Sequence, residues 1–160
     1  MAVVVFYEKP GCAGNARQKS LLKASGHTVV AKSILDTRWT RLQLLSFLKL
    51  LPMVAWFNRN SPRVKSGEVV PEAFDEADAT TVLELFQNDP LLIRRPLLDV
   101  DGERRAGFEV QEIDDWIGLS VQVAPGGAKL EACSHDRTAA HQCSGHAGAL
   151  PHEPSHALEN

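Results

Sequence analysis

The N-terminal stretch joins a buried strand to a helix through a Pro-Gly turn, and this feature constrains the fold of the 160-residue chain most strongly. Its apolar, largely β-branched residues predict a strand over Ala2–Tyr7. Pro10 and Gly11 predict a turn, and a helix is expected over residues 13–24. Residues 28–33 read as a second strand. Because a helix separates the two strands, they are expected to be parallel.

Cys12 follows the turn directly, so it is expected at the tip of the first strand and the N-terminus of the helix. Unpaired backbone N–H groups and the helix dipole favour a thiolate there. Arg17, one helical turn later, adds a positive charge nearby. Since the thiolate is the nucleophilic form of cysteine, Cys12 and Arg17 are candidate catalytic residues. The alternative is that Cys12 is a small apolar residue filling a strand–helix corner.

The middle of the chain predicts two further helices. The first, capped by Asp36 or Thr37, is expected to run to about Leu51, before Pro52. The second is expected over residues 79–87. The predicted inner faces of the three helices comprise Ala16, Leu21 and Leu22; then Trp39, Leu42, Leu45, Phe47 and Leu48; then Val82, Leu83 and Phe86.

The last part of the predicted domain is a hairpin followed by a helix. A proline-interrupted strand is expected over residues 89–100, and Asp101-Gly102 is a strong hairpin signal. The returning strand is expected over 103–108 and a short helix over 110–117. The full order of elements predicts an α/β, thioredoxin-like fold with a helical insertion, in a domain over residues 1–119.

Residues 120–160 differ in composition and predict a disordered tail. Residues 121–160 contain no Phe, Trp or Tyr and only five residues of Val, Leu or Ile. Such a segment buries too little apolar surface to offset the entropy of ordering. A mixed Cys/His set could bind zinc or another transition metal, but its spacing matches no zinc motif, and a low-complexity His-rich tail is the alternative. The candidate ligands are Cys133, His135, His141, Cys143 and His146.

Charge and hydropathy exclude several classes of function. The net charge of −3 argues against binding nucleic acid by general electrostatics. No apolar run is long enough to span a bilayer, and the N-terminus lacks the features of a signal peptide. Three widely separated cysteines do not predict a disulfide framework. We therefore expect a cytoplasmic protein that binds neither nucleic acid nor membrane.

Four segments together resemble the arsenate reductase (ArsC) family, which includes the Spx regulators. They are the strand and Pro-Gly-Cys12 helix start, residues 57–60, residues 88–96, and residues 101–108. Within that family, two short segments most resemble the nitrogenase-associated, NifO-like members. Their sequences are Tyr7-Glu8-Lys9-Pro10-Gly11-Cys12 and Ala16-Arg17-Gln18-Lys19.

The resemblance implies roles for individual residues. Cys12 corresponds to the nucleophile that attacks arsenate, and Arg59 and Arg95 correspond to oxyanion-binding arginines. Arg94 competes with Arg95, because adjacent strand residues face opposite sides. Pro96 corresponds to the cis-proline of thioredoxin-like folds. The resemblance also implies glutathione and glutaredoxin, or a second cysteine, as the source of electrons.

Two departures from the family pattern leave two functions open. The reductases carry a third arginine where this chain has Ala106 or Gly107, and Spx-like members carry a second cysteine where it has Asn15. The first function is a thiol oxidoreductase of arsenate-reductase type. The second is a non-catalytic accessory or regulatory protein of nitrogen fixation that binds a partner protein.

Overall fold

The computed structural model describes residues 1–120, which form a four-stranded mixed sheet flanked by helices. The predicted tail and its candidate metal ligands lie outside these residues. The strands are β1 (Val3–Glu8), β2 (Thr28–Ser33), β3 (Leu97–Val100) and β4 (Glu103–Ala106). The α-helices are α1 (Ala13–Ala24), α2 (Arg41–Leu48), α3 (Pro62–Lys65), α4 (Ala79–Asn88) and α5 (Val110–Ile117). Short 3₁₀ turns cover Met53–Trp56, Pro71–Ala73, Glu76–Asp78 and Pro90–Leu92.

The strand order β2-β1-β3-β4 confirms the predicted thioredoxin-like fold. Strand β1 pairs with β2 in parallel and with β3 antiparallel. Helix α1 connects the parallel strands β1 and β2, and the Asp101-Gly102 turn connects β3 and β4 in a hairpin. Both turn residues have positive φ, 52° and 86°, which is what the two-residue turn of a tight hairpin requires.

Alternation along the strands divides the apolar residues between two cores. Val4 and Phe6 of β1 and Leu98 of β3 pack in one cluster with side chains from α1 and α5. Leu97, next to Leu98, and Tyr7 belong to the other cluster, which includes residues of α2 and α4. The sheet therefore separates the core that contains residues of α1 and α5 from the core that contains residues of α2 and α4.

Helix α2 is shorter than predicted, and its inner face differs. Its N-cap is Thr40, whose hydroxyl accepts the backbone N–H of Gln43 while the Gln43 side chain accepts that of Thr40. This capping box satisfies two of the helix's unpaired donors, so the helix begins there rather than at Asp36 or Thr37. Leu42, predicted to be buried, is 80% exposed, whereas Leu44 is fully buried.

Helix α1 has the predicted bounds but a polar inner face. Of the predicted inner residues, Leu22 is buried and Leu21 is half-buried against the same core, whereas Ala16 is exposed. Asn15 and Gln18 are also buried. Residues 15, 18 and 22 share one helical face by their spacing. Hydrophobicity alone missed Asn15 and Gln18, because their buried side chains are amides.

Two strand predictions are too long. Residues 89–96 contain a 3₁₀ turn and one isolated bridge between Phe57 and Ile93, and the regular strand starts only at Leu97. Strand β4 ends at Ala106, after which Gly107 (φ 87°) turns the chain away from the sheet. In contrast, the predicted inner residues of α4 (Val82, Leu83 and Phe86) are all buried. Within residues 1–120, no helix combines the length and apolarity needed to cross a membrane.

The His27 side chain, at the edge of the sheet where β1 starts, forms hydrogen bonds to two other segments of the chain. Its Nδ1 accepts the backbone N–H of Ala2 at 3.0 Å, so its Nε2 carries the hydrogen that is donated to the carbonyl of Gly118 at 2.6 Å. The ring is 6% exposed. A buried imidazole thereby joins the start of β1 to the end of α5.

The His27→Ala substitution should lower the free energy of unfolding by roughly 1–3 kcal/mol, because it leaves backbone groups of Ala2 and Gly118 without their partner. Urea denaturation measures this loss. The matched substitution of the exposed Arg38 by alanine should change stability by less than about 0.5 kcal/mol. Equal effects of the two substitutions would contradict the structural role of His27.

Candidate functional site

The strand register places Cys12, Arg95 and Pro96 at one edge of the sheet. Cys12 lies just beyond the end of β1, before α1. Tyr7 of β1 pairs with Leu97 of β3, so the two residues before Leu97 lie beside the end of β1. The Arg95–Pro96 peptide bond is cis. The Pro96 carbonyl accepts the N–H of Gly107 at 2.8 Å, which connects this bend to the end of β4.

A tight turn presents Cys12 to the start of α1. The Cys12 N–H donates to the Lys9 carbonyl at 3.2 Å, and Gly11 has φ +80°. Proline followed by a residue with positive φ is the pattern of a type II turn, which explains the Pro10-Gly11 pair. The sequence of this loop therefore fixes the direction in which residue 12 leaves the strand.

Cys12 is the N-cap residue of α1 and is 8% exposed. Its Sγ accepts the backbone N–H of Asn15 at 3.4 Å, and its carbonyl accepts the N–H of Ala16 at 3.0 Å. A backbone donor aimed at the sulfur from the first turn of a helix stabilises negative charge there. Cys12 is disulfide-bonded in this structure, and the chemistry proposed below concerns its reduced form.

Two buried amides of α1 were not predicted to belong to the site. The Asn15 side-chain oxygen accepts the backbone N–H of Lys9 at 3.2 Å, and its amide group donates to Oε1 of Gln18 at 2.9 Å. Asn15 is 1% exposed and Gln18 is fully buried. The signal in the sequence was the spacing of Asn15, Gln18 and Leu22, which lines up two amides on the inner face directly after the cysteine.

Two positive charges lie close to each other beside the turn. Arg95 is 5% exposed, and burial lowers the pKa of its guanidinium. The pKa of the Lys9 amine is lowered first by burial and then by the positive charge of Arg95. A negative charge beside the pair would offset the repulsion between the two cations, so the pair favours a negatively charged ligand.

Arg17 and Arg59, which were predicted with Arg95 to belong to the site, are exposed. Arg17 lies on the outer face of α1. Arg59 forms an ion pair with Glu72, and this hydrogen bond lowers the pKa of the Glu72 carboxyl. The side chains of Arg59 and Glu72 are 54% and 56% exposed. Of the predicted residues within 1–120, Cys12, Arg95 and Pro96 therefore lie at the same edge of the sheet, and the contacts described for Arg59 join it to Glu72.

The two arginines of β4 have structural contacts. Arg104 donates to Asp99 at 2.8 Å and to Ser46 at 2.9 Å, and its guanidinium lies 5.0 Å from the ring centroid of Phe47. Arg105 lies 4.4 Å from the ring of Trp116 and pairs with Glu103. Ala106 pairs with Leu97, next to Pro96. The place beside the cis-proline is thus occupied by a residue without charge.

The predicted metal ligands lie outside the described residues. Among residues 1–120, no group of three or more His, Cys, Asp or Glu side chains is placed to hold a metal ion.

A protein from Rhodospirillum rubrum is similar to this chain over nearly its whole length. It is described as an uncharacterized 15.7 kDa protein in the draG 3′ region, and it is 46% identical over 149 residues. The similarity covers 93% of this chain and 99% of that protein. No protein-family model matches the chain.

Solved structures of ArsC-type proteins share the fold. An arsenate reductase from Vibrio cholerae superposes with a TM-score of 0.57 at 20% identity, over 71% of this chain and 97% of that one. An ArsC family related protein from Bacteroides fragilis gives 0.59 at 21% identity, over 70% and 95% of the two chains. At this level of identity the likeness concerns the fold.

Replacing Arg95 by methionine should raise the pKa of the Lys9 amine towards its ordinary value, because it removes the nearby positive charge. An NMR titration of the Lys9 side chain measures the change. Arg94→Met is the matched control, since Arg94 is the neighbouring arginine and the charge that lowers the pKa of Lys9 is that of Arg95. A rise of the same size in both variants would show that the charges of Lys9 and Arg95 are not coupled.

Proposed function

We propose that this protein is a thiol-dependent oxidoreductase that acts on an oxyanion such as arsenate. The chain belongs to the family of the R. rubrum 15.7 kDa protein and has an ArsC-type fold. The observation that carries the proposal is Cys12 itself. Its sulfur accepts a backbone N–H at the start of α1, at the same edge of the sheet as the buried Arg95 and the cis-Pro96.

The reaction uses two thiols per oxyanion. The Cys12 thiolate attacks arsenic(V), an S–As bond forms, and a protonated oxygen leaves as water. A glutathione thiolate then attacks the Cys12 sulfur, the S–As electron pair returns to arsenic, and arsenite leaves. Cys12 remains as a mixed disulfide with glutathione, which a second thiol, such as that of glutaredoxin, reduces.

Positive charge supplied by Arg95 and Lys9 holds the oxyanion beside the sulfur. A planar guanidinium suits a tetrahedral oxyanion, and Arg95 is largely withdrawn from water, which strengthens its charge interactions. Arg59 contributes only when its exposed ion pair with Glu72 opens, and the exposed Arg17 contributes long-range charge.

Cys12→Ser should abolish arsenate-dependent oxidation of glutathione, because serine at that position is a far weaker nucleophile. Turnover is measured with and without glutaredoxin, by coupled oxidation of NADPH. The matched control, Cys133→Ser, should retain turnover when glutathione is the donor. Full activity in Cys12→Ser would remove the cysteine from the mechanism.

Arg95→Met should raise the KM for arsenate by about 10- to 100-fold, since a charge-assisted hydrogen bond contributes roughly 1.5–3 kcal/mol. Arg59→Met should raise it by less than about threefold, because exposed ion pairs contribute little. Steady-state kinetics of the two variants gives the comparison. The reverse order would assign oxyanion binding to Arg59 rather than to Arg95.

Glutathione and a second cysteine are distinguishable as the source of the resolving thiol. Residue 15 is asparagine, so a second cysteine within the chain has to be Cys133 or Cys143. With glutathione omitted and a thioredoxin-type dithiol supplied, turnover that is lost in Cys133→Ser or Cys143→Ser identifies an internal thiol. Turnover that needs glutathione in all variants identifies the external one.

The second candidate is an accessory or regulatory role in nitrogen fixation, through binding of a partner protein. The uncharged Ala106 beside the cis-proline favours it, as does the draG region named for the R. rubrum relative. A partner-binding role should survive Cys12→Ser. Co-purification of the same nitrogen-fixation protein with wild type and Cys12→Ser, together with no arsenate turnover, would select this function.

A further inference from the structure

We infer that Asn15 is the positioning residue for Cys12, and that Gln18 holds Asn15 in place for this task. The inference rests on the proposed function in that Cys12 is the reacting group. It goes further by assigning a role to the two buried amides on the inner face of α1.

Asn15 contacts the cysteine loop at both ends. Its backbone N–H donates to Cys12 Sγ at 3.4 Å, and its side-chain oxygen accepts the N–H of Lys9 at 3.2 Å. The backbone carbonyl of Lys9 in turn accepts the N–H of Cys12 at 3.2 Å. One residue thus closes a ring of hydrogen bonds around the turn that carries the sulfur.

Gln18 fixes the orientation of the Asn15 amide. Because the Asn15 amide group donates to Gln18 Oε1 at 2.9 Å, its oxygen is the atom left to face Lys9. Both amides are buried, so rotation of the Asn15 side chain would place a donor against the Lys9 N–H in a site with little water. Gln18 therefore acts on Cys12 through Asn15.

Position 15 is also the third residue after Cys12, where a second cysteine would make a vicinal dithiol. With asparagine at this place, the backbone N–H still donates to the sulfur, and the side chain anchors the turn through the N–H of Lys9.

The test measures Cys12 reactivity directly, in a full-length background in which Cys133 and Cys143 are serine, so that Cys12 is the one cysteine. After reduction, the rate of alkylation by iodoacetamide is recorded across pH for wild type, Asn15→Ala and Asn15→Asp. Folding is checked by circular dichroism and urea denaturation.

We expect Asn15→Ala to react about threefold more slowly at neutral pH, with the midpoint of the pH–rate profile moved upwards, because the Lys9 N–H loses its acceptor and the turn loosens. Asn15→Asp keeps an acceptor but places a negative charge next to the sulfur. It should move the midpoint further, with a decrease of about tenfold at neutral pH.

Two further variants separate positioning from general destabilisation. Gln18→Leu leaves the Cys12 loop untouched and should reproduce part of the Asn15→Ala shift, which keeps the inference testable if Asn15→Ala does not fold. Asn58→Ala removes another buried asparagine, one bonded to the carbonyl of Leu91 and the N–H of Asn60, and should leave the profile of Cys12 unchanged.

Unchanged midpoints in folded Asn15 and Gln18 variants would overturn the inference, and so would an equal shift in Asn58→Ala. Alkylation requires no arsenate, so the outcome is independent of turnover. Shifted profiles in a protein without arsenate turnover would support the positioning role and reject the proposed reaction. Arsenate turnover with unshifted profiles would do the opposite.

Discussion

The antiparallel pairing of β1 with β3 is the interaction on which the rest of this structure depends. β1 and α1 follow each other in sequence, so the turn and Cys12 are local features. The residues that complete the site come from more than eighty positions later, and only the Tyr7–Leu97 register brings them alongside. A shift of one residue would turn the side chains of β3 to the opposite faces of the sheet, exchanging the core positions of Leu97 and Leu98 and moving Arg95 relative to Cys12.

The strength of local signals decided which parts of the fold were predictable. Helix α1, strand β2 and helix α5 have the predicted bounds. Glycines mark these elements, because Gly26 lies between α1 and β2 and Gly118 follows α5. Helix α2 was predicted to start too early because Asp36 and Thr37 are good cap residues. Instead, the Ser33 hydroxyl accepts the backbone N–H groups of Leu35 and Asp36, and these hydrogen bonds hold the segment as a turn.

The candidate site shows a similar division. The cysteine at a helix start could be identified from sequence, and the family resemblance pointed to Arg95 and Pro96. The roles of Asn15 and Gln18 could not, because burial of polar side chains follows from partners rather than from composition. Nor did the sequence distinguish the environments of Arg59 and Arg95, which were both predicted to bind the oxyanion. Their difference is one of burial: Arg59 lies in an exposed ion pair and Arg95 lies in the interior.

The attachment of residues 118–120 determines where the remaining chain starts. Gly118 is bonded to His27, and the N–H of Ser120 donates to Ser25 Oγ at 3.1 Å, so the described chain ends at the edge of the sheet opposite to Cys12. The six residues of β1 separate these edges by roughly 20 Å. The thirteen peptide units between Ser120 and Cys133 have a contour length of roughly 45 Å. This tether is longer than the separation of the two edges, so it is long enough for the Cys133 thiol to meet Cys12. The encounter rate of that thiol would be set by the tether and not by dilution, unlike that of a freely diffusing thiol.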